Sequence, residues 1–293
     1  MTSKLILPKP TNLLVPERRI FIPSGAPRER QRGFIRLSPS VGLWNRVFTA
    51  KGIEFNGSNV QLTRTAAFTS ASDHDHGLIS FWYRVDVDAD RYVISSDRGA
   101  GTSYQMTASR APSSDAMTFN WNGISAGNPD EKASWAGGAN TAAVSANWKH
   151  IITSYSKSGS SLTLHTYVND SSSHVFIHNN GSTNQFRGDD DKWWVGSLSG
   201  GAFFDGGLAE LAWYILSSPV DLSVEAQRRK FYSAQGRPVD LGPRGEWPFG
   251  ELPVFYQSVR GGEDPSRFAV NRSGRGDFTF NGTPVLTSTD PAA

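Results

Sequence analysis

The stretch GLISFWYRVDV, residues 77–87, alternates between large apolar side chains and smaller or polar ones. Ile79, Phe81, Tyr83, Val85 and Val87 share one parity, and Ser80, Arg84 and Asp86 share the other. Successive side chains of a β-strand point to opposite faces of the sheet, so this pattern predicts a strand with one face on an apolar core.

Segments of the same kind recur along the chain. They lie near residues 47–55, 91–96, 116–121, 147–157, 162–169, 173–178, 192–197 and 207–217. Clusters of Gly, Asn, Asp and Ser separate them, as turns separate short strands. Two later candidates are 267–270 and 277–287, and we expect Phe278 and Phe280 of the second to pair back with the first strands. The sequence therefore predicts an all-β antiparallel sandwich.

One short helix is expected near residue 225. Ser223 is the predicted N-cap, Glu225 lies in the first turn, and Gly236 is the predicted stop. Arg228, Arg229 and Lys230 follow Glu225, where cations favour a helix C-terminus. The helix is predicted to be peripheral to the sandwich.

Composition excludes several classes of site. The chain has no cysteine, so it can form neither disulfides nor a thiolate metal site, and it lacks a cysteine nucleophile. No apolar run has the length of a signal peptide or a membrane span. These features predict a soluble protein made in the cytoplasm, with no membrane partner.

Residues 1–46 differ from the rest of the chain. They hold six prolines and nine Lys/Arg against two Glu, a net charge of +7, whereas the remaining residues sum to −5. Proline removes backbone donors, so we predict an extended basic arm and a sandwich domain at 47–293. Apolar clusters between the prolines favour docking on protein over nucleic acid. The predicted partner-binding residues are Arg18, Arg19, Phe21, Arg28, Arg30, Arg32 and Arg36.

Six segments, in order, resemble the concanavalin A-like, laminin-G-like jelly roll. They are IEFNGSNVQL (53–62), GLISFWYRVD (77–86), NWKHIITSY (147–155), LTLHTYVND (162–170), WWVGS (193–197) and FFDGGLAELAWY (203–214). The later segments QGRPVDLGPRGEWPFGELPVFYQ (235–257) and GDFTFNGTPVLTSTDPA (276–292) are similar to the C-terminal parts of such domains in tailed-phage virion proteins.

Together with the basic arm, the resemblance implies a virion structural protein of a bacteriophage, expected to be non-enzymatic and located in the virion as a decoration, head-surface or tail-associated component. Its arm would dock on neighbouring virion proteins, in many copies and as a homo-oligomer. The alternative is a carbohydrate-binding receptor-recognition protein of a tail fibre or baseplate that contacts host surface glycans. Fold alone does not choose between them.

Catalytic residues and cofactors are not expected. Hydrolases of the resembled family place acids as E-x-D-x-x-E along a strand, and this chain has no such run. Glu210 is predicted to be a packed, hydrogen-bonded residue that shares a strand face with Leu208 and Ala212. A polysaccharide hydrolase is therefore a third, disfavoured hypothesis.

Tryptophans could instead stack on sugars. Trp121, Trp135, Trp193 and Trp194 are the candidates nearest predicted loops, whereas Trp82, Trp148 and Trp213 are predicted to be structural.

Acidic clusters raise the possibility of calcium. They are Asp86, Asp88 and Asp90; Asp189, Asp190 and Asp191; and Asp73 and Asp75. Arg91 stands where an EF-hand loop requires glycine, so the first cluster is predicted to be a solvated turn. We predict no metal site, with calcium at the Asp189–Asp191 loop left as the alternative.

Overall fold

The structure, a computed structural model, describes most of the chain beyond residue 47. The described residues are 48–68, 74–87, 91–97, 104–111, 116–122, 132–136, 145–159, 161–170, 172–179 and 190–291. These residues belong to one compact unit. The predicted arm, with its proposed partner-binding residues from Arg18 to Arg36, lies outside them.

Within the described part of the chain, strands supply nearly all of the regular structure. They are β1 (Ala50–Lys51), β2 (Ile53–Asn56), β3 (Gln61–Arg64), β4 (His76–Val85), β5 (Arg91–Asp97), β6 (Tyr104–Ala111), β7 (Ala116–Asn122), β8 (Lys132–Ala136), β9 (Ser145–Ser158), β10 (Ser161–Val168), β11 (Ser172–Asn179), β12 (Lys192–Val195), β13 (Asp205–Ile215), β14 (Phe255–Gln257), β15 (Val259–Arg260), β16 (Thr279–Asn281) and β17 (Val285–Leu286). Among the described helices, none is long and apolar enough to cross a membrane.

The strands form two main antiparallel sheets. The first sheet has the order β11-β10-β9-β4-β13-β2-β17, with β14 also paired to β13, and the second has the order β16-β3-β12-β5-β6-β7-β8. A separate short pair joins β1 to β15. The predicted antiparallel β-sandwich is therefore confirmed.

The main core lies between the two sheets. Strand β4 contributes Ile79, Phe81, Tyr83 and Val85 to it, as the alternation predicted. Val87 lies beyond the end of β4 and is exposed. Aromatic side chains fill the centre of this core, and burial of that much apolar surface is its main source of stability.

A second apolar cluster covers the outer face of the first sheet. Leu78, Ile152 and Tyr214 from the sheet pack there against Phe231 and Leu241 from the segment that follows β13. This segment forms an additional layer. Strand β4 is consequently buried on both faces, and its polar outer-face residues must find partners inside the protein.

Strand β13 contains a β-bulge at Glu210. Its register against β4 shifts between Ala209 and Ala212, and Glu210 has a φ of 48°. The extra residue interrupts the alternation of side chains. Leu208 therefore packs in the main core while Ala212 packs in the outer cluster. The prediction that both share a face with Glu210 was wrong for this reason.

The predicted helix exists but is shorter than expected. Helix α1 spans Glu225–Arg228, and its N-cap is Val224, which makes no side-chain cap. Ser223 is instead the end of a turn in which its backbone N–H donates to the Asp221 carboxylate at 2.8 Å. The prediction of Ser223 as N-cap was thus wrong. The helix ends well before Gly236.

Two strands were predicted in the C-terminal part of the chain, and the structure differs from the first and agrees in part with the second. Residues 265–269 form a 3₁₀-helix, Pro265–Ala269, capped by the Asp264 side chain, so the strand predicted at 267–270 was wrong. Proline at its first position and the aspartate cap favour the helical turn. Strand β16 pairs with β3 and β17 with β2, so Phe280 pairs back with an early strand as predicted. Phe278 lies before β16, and its N–H donates to the Ala269 carbonyl at 2.9 Å, so the predicted pairing of Phe278 was wrong.

Candidate ligand-binding cleft

A cleft of about 290 Å³ opens beside the outer face of the first sheet. Its walls come from β4, from β9, from the turn after β10, from the segment after α1 and from the C-terminal residues. The lining residues are Trp82, Asn147, Trp148, Asn169, Tyr232, Gly236, Thr289, Asp290 and Pro291. Aromatic rings and neutral polar groups therefore dominate the lining.

Two stacked rings form one wall, and a third, buried ring packs behind them. Trp82 on β4 lies parallel to Tyr232, with centroids 5.4 Å apart, and His150 on β9 lies 5.1 Å from Trp82. Ser80 Oγ is 2.9 Å from His150 Nε2. Burial lowers the pKa of His150 to about 3, so this imidazole is neutral at physiological pH. The wall is a rigid, uncharged aromatic surface.

Trp148 forms another part of the cleft and is fixed by its neighbours. Its indole N–H donates to the Thr289 carbonyl at 3.1 Å. The edge of its six-membered ring lies against Gly52 and Gly207, where an added Cβ would be 2.4 Å and 2.6 Å from ring atoms. Only glycine fits at these two positions without moving the ring. The half-buried indole is therefore held in one orientation.

Two asparagines supply amide groups. Asn169, with a φ of 50°, follows β10, and its Oδ1 accepts from the His150 backbone N–H at 2.8 Å. This bond fixes the side chain and leaves its NH₂ group as a donor for a ligand. Asn147 lies near the start of β9 and is exposed. The cleft thus offers one hydrogen-bonded and one exposed amide.

An ion-pair cluster lies behind Trp148. Arg84 Nη2 is 2.9 Å from a Glu54 oxygen and 2.7 Å from an Asp86 oxygen, and Arg84 Nη1 donates to Thr289 Oγ1 at 3.1 Å. Burial and a hydrogen bond with Asp86 raise the pKa of Glu54 to about 7. Burial also acts to raise the pKa of Asp86, but hydrogen bonds from Arg84 and Glu54 outweigh it and lower that pKa. The cluster anchors the C-terminal wall of the cleft.

The tryptophans proposed as sugar platforms lie elsewhere. Trp193 and Trp194 belong to β12 and are buried, and Trp193 donates its indole N–H to the Asp190 carbonyl at 3.0 Å. The prediction that they are exposed sugar platforms was wrong, because Trp193 packs in the main core and Trp194 is also buried. The side chains of Trp121 and Trp135 lie outside the described part of the structure.

Of the tryptophans predicted to be structural, Trp213 lies in the main core, which confirms that prediction. Trp82 and Trp148 pack on the sheet and also line the cleft, a role that the sequence reading missed. The available signal was that both tryptophans occupy strand positions on the side away from the core. Nothing in the sequence shows that the two strands are neighbours.

Glu210 is buried and hydrogen-bonded, as predicted. Its carboxylate accepts from the Tyr256 hydroxyl at 2.6 Å and from the Ser258 hydroxyl at 2.5 Å. Burial raises the pKa of Glu210 to about 7 despite these bonds. Glu210 is not among the residues that line the cleft.

The acidic residues considered for calcium do not converge where they are described. Asp190 is fully buried and accepts from Ser96 Oγ at 2.5 Å, whereas Asp191 is exposed. Asp86 is paired with Arg84. Within the described ranges, no group of three or more His, Cys, Asp or Glu side chains could hold a metal ion. Four of the candidates lie outside those ranges, namely Asp73, Asp88, Asp90 and Asp189.

No protein-family model and no curated protein matches the chain. Solved structures do share its fold. A proposed carbohydrate-binding protein of Bacteroides ovatus ATCC 8483 is 16% identical, with a TM-score of 0.53 over 82% of this chain and 60% of that one. The sandwich is a jelly roll of the concanavalin A-like type.

Two further structures are similar at lower scores. Domains LG4-5 of the mouse laminin alpha1 chain are 18% identical, with a TM-score of 0.40 over 58% of this chain and 43% of that one. The CBM40 of the Ruminococcus gnavus IT-sialidase is 13% identical, with a TM-score of 0.41 over 58% and 93%. The jelly roll spans less than two thirds of the Bacteroides and laminin chains. At these identities the likeness establishes the fold alone.

Proposed function

We propose that this protein is a carbohydrate-binding module and that the cleft beside Trp82 and Trp148 is its binding site. One observation carries the proposal: fixed aromatic rings and neutral amides line the same small cavity. A sugar ring presents an apolar C–H face and a rim of hydroxyls, so it matches such a lining. The fold of the Bacteroides ovatus protein, itself proposed to bind carbohydrate, supports this reading.

The proposed module binds a sugar and does not hydrolyse it. Glu210 is buried away from the cleft, and the Glu54–Asp86 pair is held by Arg84. A hydrolase would need two carboxylates that flank the scissile bond. In the phage setting that the sequence resemblance suggests, such a module would recognise host glycans from a tail fibre or baseplate.

The direct test is a glycan array probed with the wild type and with two tryptophan variants. Trp148→Ala removes a ring that lines the cleft, and Trp247→Ala removes a 60% exposed ring that does not line it. We expect Trp148→Ala to weaken binding at least about tenfold, or about 1.4 kcal/mol. Trp247→Ala should bind like the wild type. Absence of binding to every glycan by the wild type would refute the proposal.

The second candidate is a virion structural protein anchored through residues 1–46. The sequence of that segment favours it, because a proline-rich chain with a net charge of +7 and interspersed apolar clusters gains order most readily on a partner surface. A chain that starts at Val47 should fold but should be missing from assembled particles. Quantitative mass spectrometry of purified particles measures its copy number, and wild-type occupancy by the shortened chain would exclude anchoring by this segment.

A further inference from the structure

We infer that the cleft selects an uncharged sugar residue and discriminates against sialic and uronic acids; this inference rests on the proposed function. Hydroxyl and acetamido groups are the ligand chemistry the cleft would recognise.

Among the described residues, the lining carries a single charged side chain, Asp290, and no cation. The Asp290 carboxylate pairs with Lys51 Nζ at 2.5 Å. An acidic sugar entering the cleft would therefore meet one carboxylate and no arginine or lysine that lines the wall. Recognition of a sugar carboxylate typically uses an arginine, whose guanidinium can bind both oxygens.

The arginines that contact or neighbour the lining residues are engaged by carboxylates, except for the exposed Arg237, which follows Gly236 but does not itself line the cleft. Arg84 contacts Thr289 but is held by two carboxylates, those of Glu54 and Asp86. Its side chain is only 8% exposed. A ligand carboxylate could recruit it only by breaking a buried ion pair, and this leaves a carboxylate uncompensated.

The same holds on the side of Asn169. The next residue, Asp170, pairs with both Arg228 and Arg229, and Arg229 Nη2 lies 2.8 Å from the Asp170 carboxylate. Glu225 is a further partner of Arg229. The acidic groups Asp170 and Glu225 therefore take up the charge of these two arginines. An anionic ligand would lose hydration without gaining a counter-charge.

The polar groups that do line the cleft are neutral. Burial and the nearby Asp170 carboxylate raise the pKa of Tyr232, so its phenol stays protonated and can donate. Asn147 and Asn169 contribute amides, which can donate to one hydroxyl and accept from another. Neutral sugars satisfy such groups without charge compensation.

The test is calorimetric titration with pairs of ligands that differ in one charge. The matched pair is methyl glucoside with methyl glucuronide, which differ only at C6. A second pair is lactose with 3′-sialyllactose, which carries one additional, acidic residue, and any glycan found on the array supplements them. We expect the neutral member of a bound pair to bind at least about tenfold tighter. Its affinity should be unchanged between about 0.05 and 0.5 M salt, because no ion pair is formed.

A charge-introducing variant completes the test. Asn147→Arg places a cation at the exposed rim, so it should improve binding of the acidic member while leaving Tm unchanged, and Asn147→Gln is the matched neutral control. Tighter, salt-dependent binding of acidic sugars by the wild type would overturn the inference and leave the proposed function intact. Absence of binding by every ligand would overturn both.

Discussion

Trp82 and Tyr232 lie face to face, with ring centroids 5.4 Å apart and ring planes 7° from parallel. Trp82 belongs to the sheet, and Tyr232 belongs to the layer that follows α1. The stack therefore joins two parts of the chain that are far apart in sequence. Because both residues line the cleft, the cleft exists only when the outer layer is packed on the sheet.

The orientation of Trp148 should depend on the glycine beneath it. Gly207→Ala would place a Cβ 2.6 Å from the indole, so the ring must move. We expect a loss of stability of about 1–3 kcal/mol, a changed tryptophan fluorescence and weaker glycan binding. Gly261→Ala is the control, since its Cβ would meet no atom closer than 3.6 Å. Equal stability, fluorescence and glycan binding of the two variants would contradict the packing of the Trp148 indole against Gly207.

Glu210 should make stability depend on pH. Burial raises its pKa from 4.5 to about 7, so between these values the native state binds more protons than the unfolded state. The contribution of Glu210 to stability should therefore be fully present below about pH 4.5 and should be lost as pH rises through 7, by an amount on the order of 3 kcal/mol if the whole difference is expressed.

Glu210→Gln should flatten that decrease. Denaturant unfolding between about pH 5 and pH 8 measures it, and the variant should gain stability on the wild type as pH rises. Part of the slope should remain because the pKa of Glu54 is raised in the same direction. Glu251→Gln, on the exposed surface, serves as the control. A variant with the wild-type slope would mean that Glu210 is solvated in solution.

Trp213 should be a main contributor to core stability. It lies between the sheets, with its ring 5.3 Å from that of Trp193 and 5.8 Å from that of Phe255. Trp213→Ala should cost about 3–5 kcal/mol by creating a cavity. Trp247→Ala, which removes the same side chain from the surface, should stay within about 0.5 kcal/mol of the wild type. Comparable losses would show that the core assignment is wrong.

Chelation should leave the fold unaffected. Asp190 accepts from the Ser96 hydroxyl and Asp86 pairs with Arg84, and among the described residues neither belongs to a group of three or more side chains that could hold a metal ion. We expect the same Tm with and without EDTA, because an ion that binds only the native state would raise Tm by mass action. A decrease of several degrees that calcium reverses would reveal a metal site.

The sandwich could be predicted from the sequence because a half-buried strand carries its own signature. The alternation at residues 77–87 placed Ile79 and Phe81 in the core correctly. The bulge at Glu210 could not be predicted, since an inserted residue leaves the local pattern of side chains ambiguous. The 3₁₀-helix at 265–269 was missed because a five-residue apolar-containing segment fits both strand and turn.

The cleft could not be predicted for a different reason. Its rings come from positions that alternation assigns to the side of the strand away from the core, and such positions normally face solvent. Only the packing of Phe231 and Leu241 over the sheet shows that this face carries a further layer. The sequence of that layer has no periodic pattern that would predict it. Trp82 and Trp148 were therefore predicted to be structural residues alone.

The first and last strands of the sandwich lie side by side, since β17 pairs with β2 and the Thr287 N–H donates to the Gly52 carbonyl at 2.9 Å. A domain whose two ends meet can be spliced into a surface loop of a host protein at a small loop-closure cost, because short tethers suffice on both sides. The jelly roll is therefore suited to insertion into another protein as an intact domain. Inserted in this way, it should carry its cleft with it, because every lining residue lies between Trp82 and Pro291.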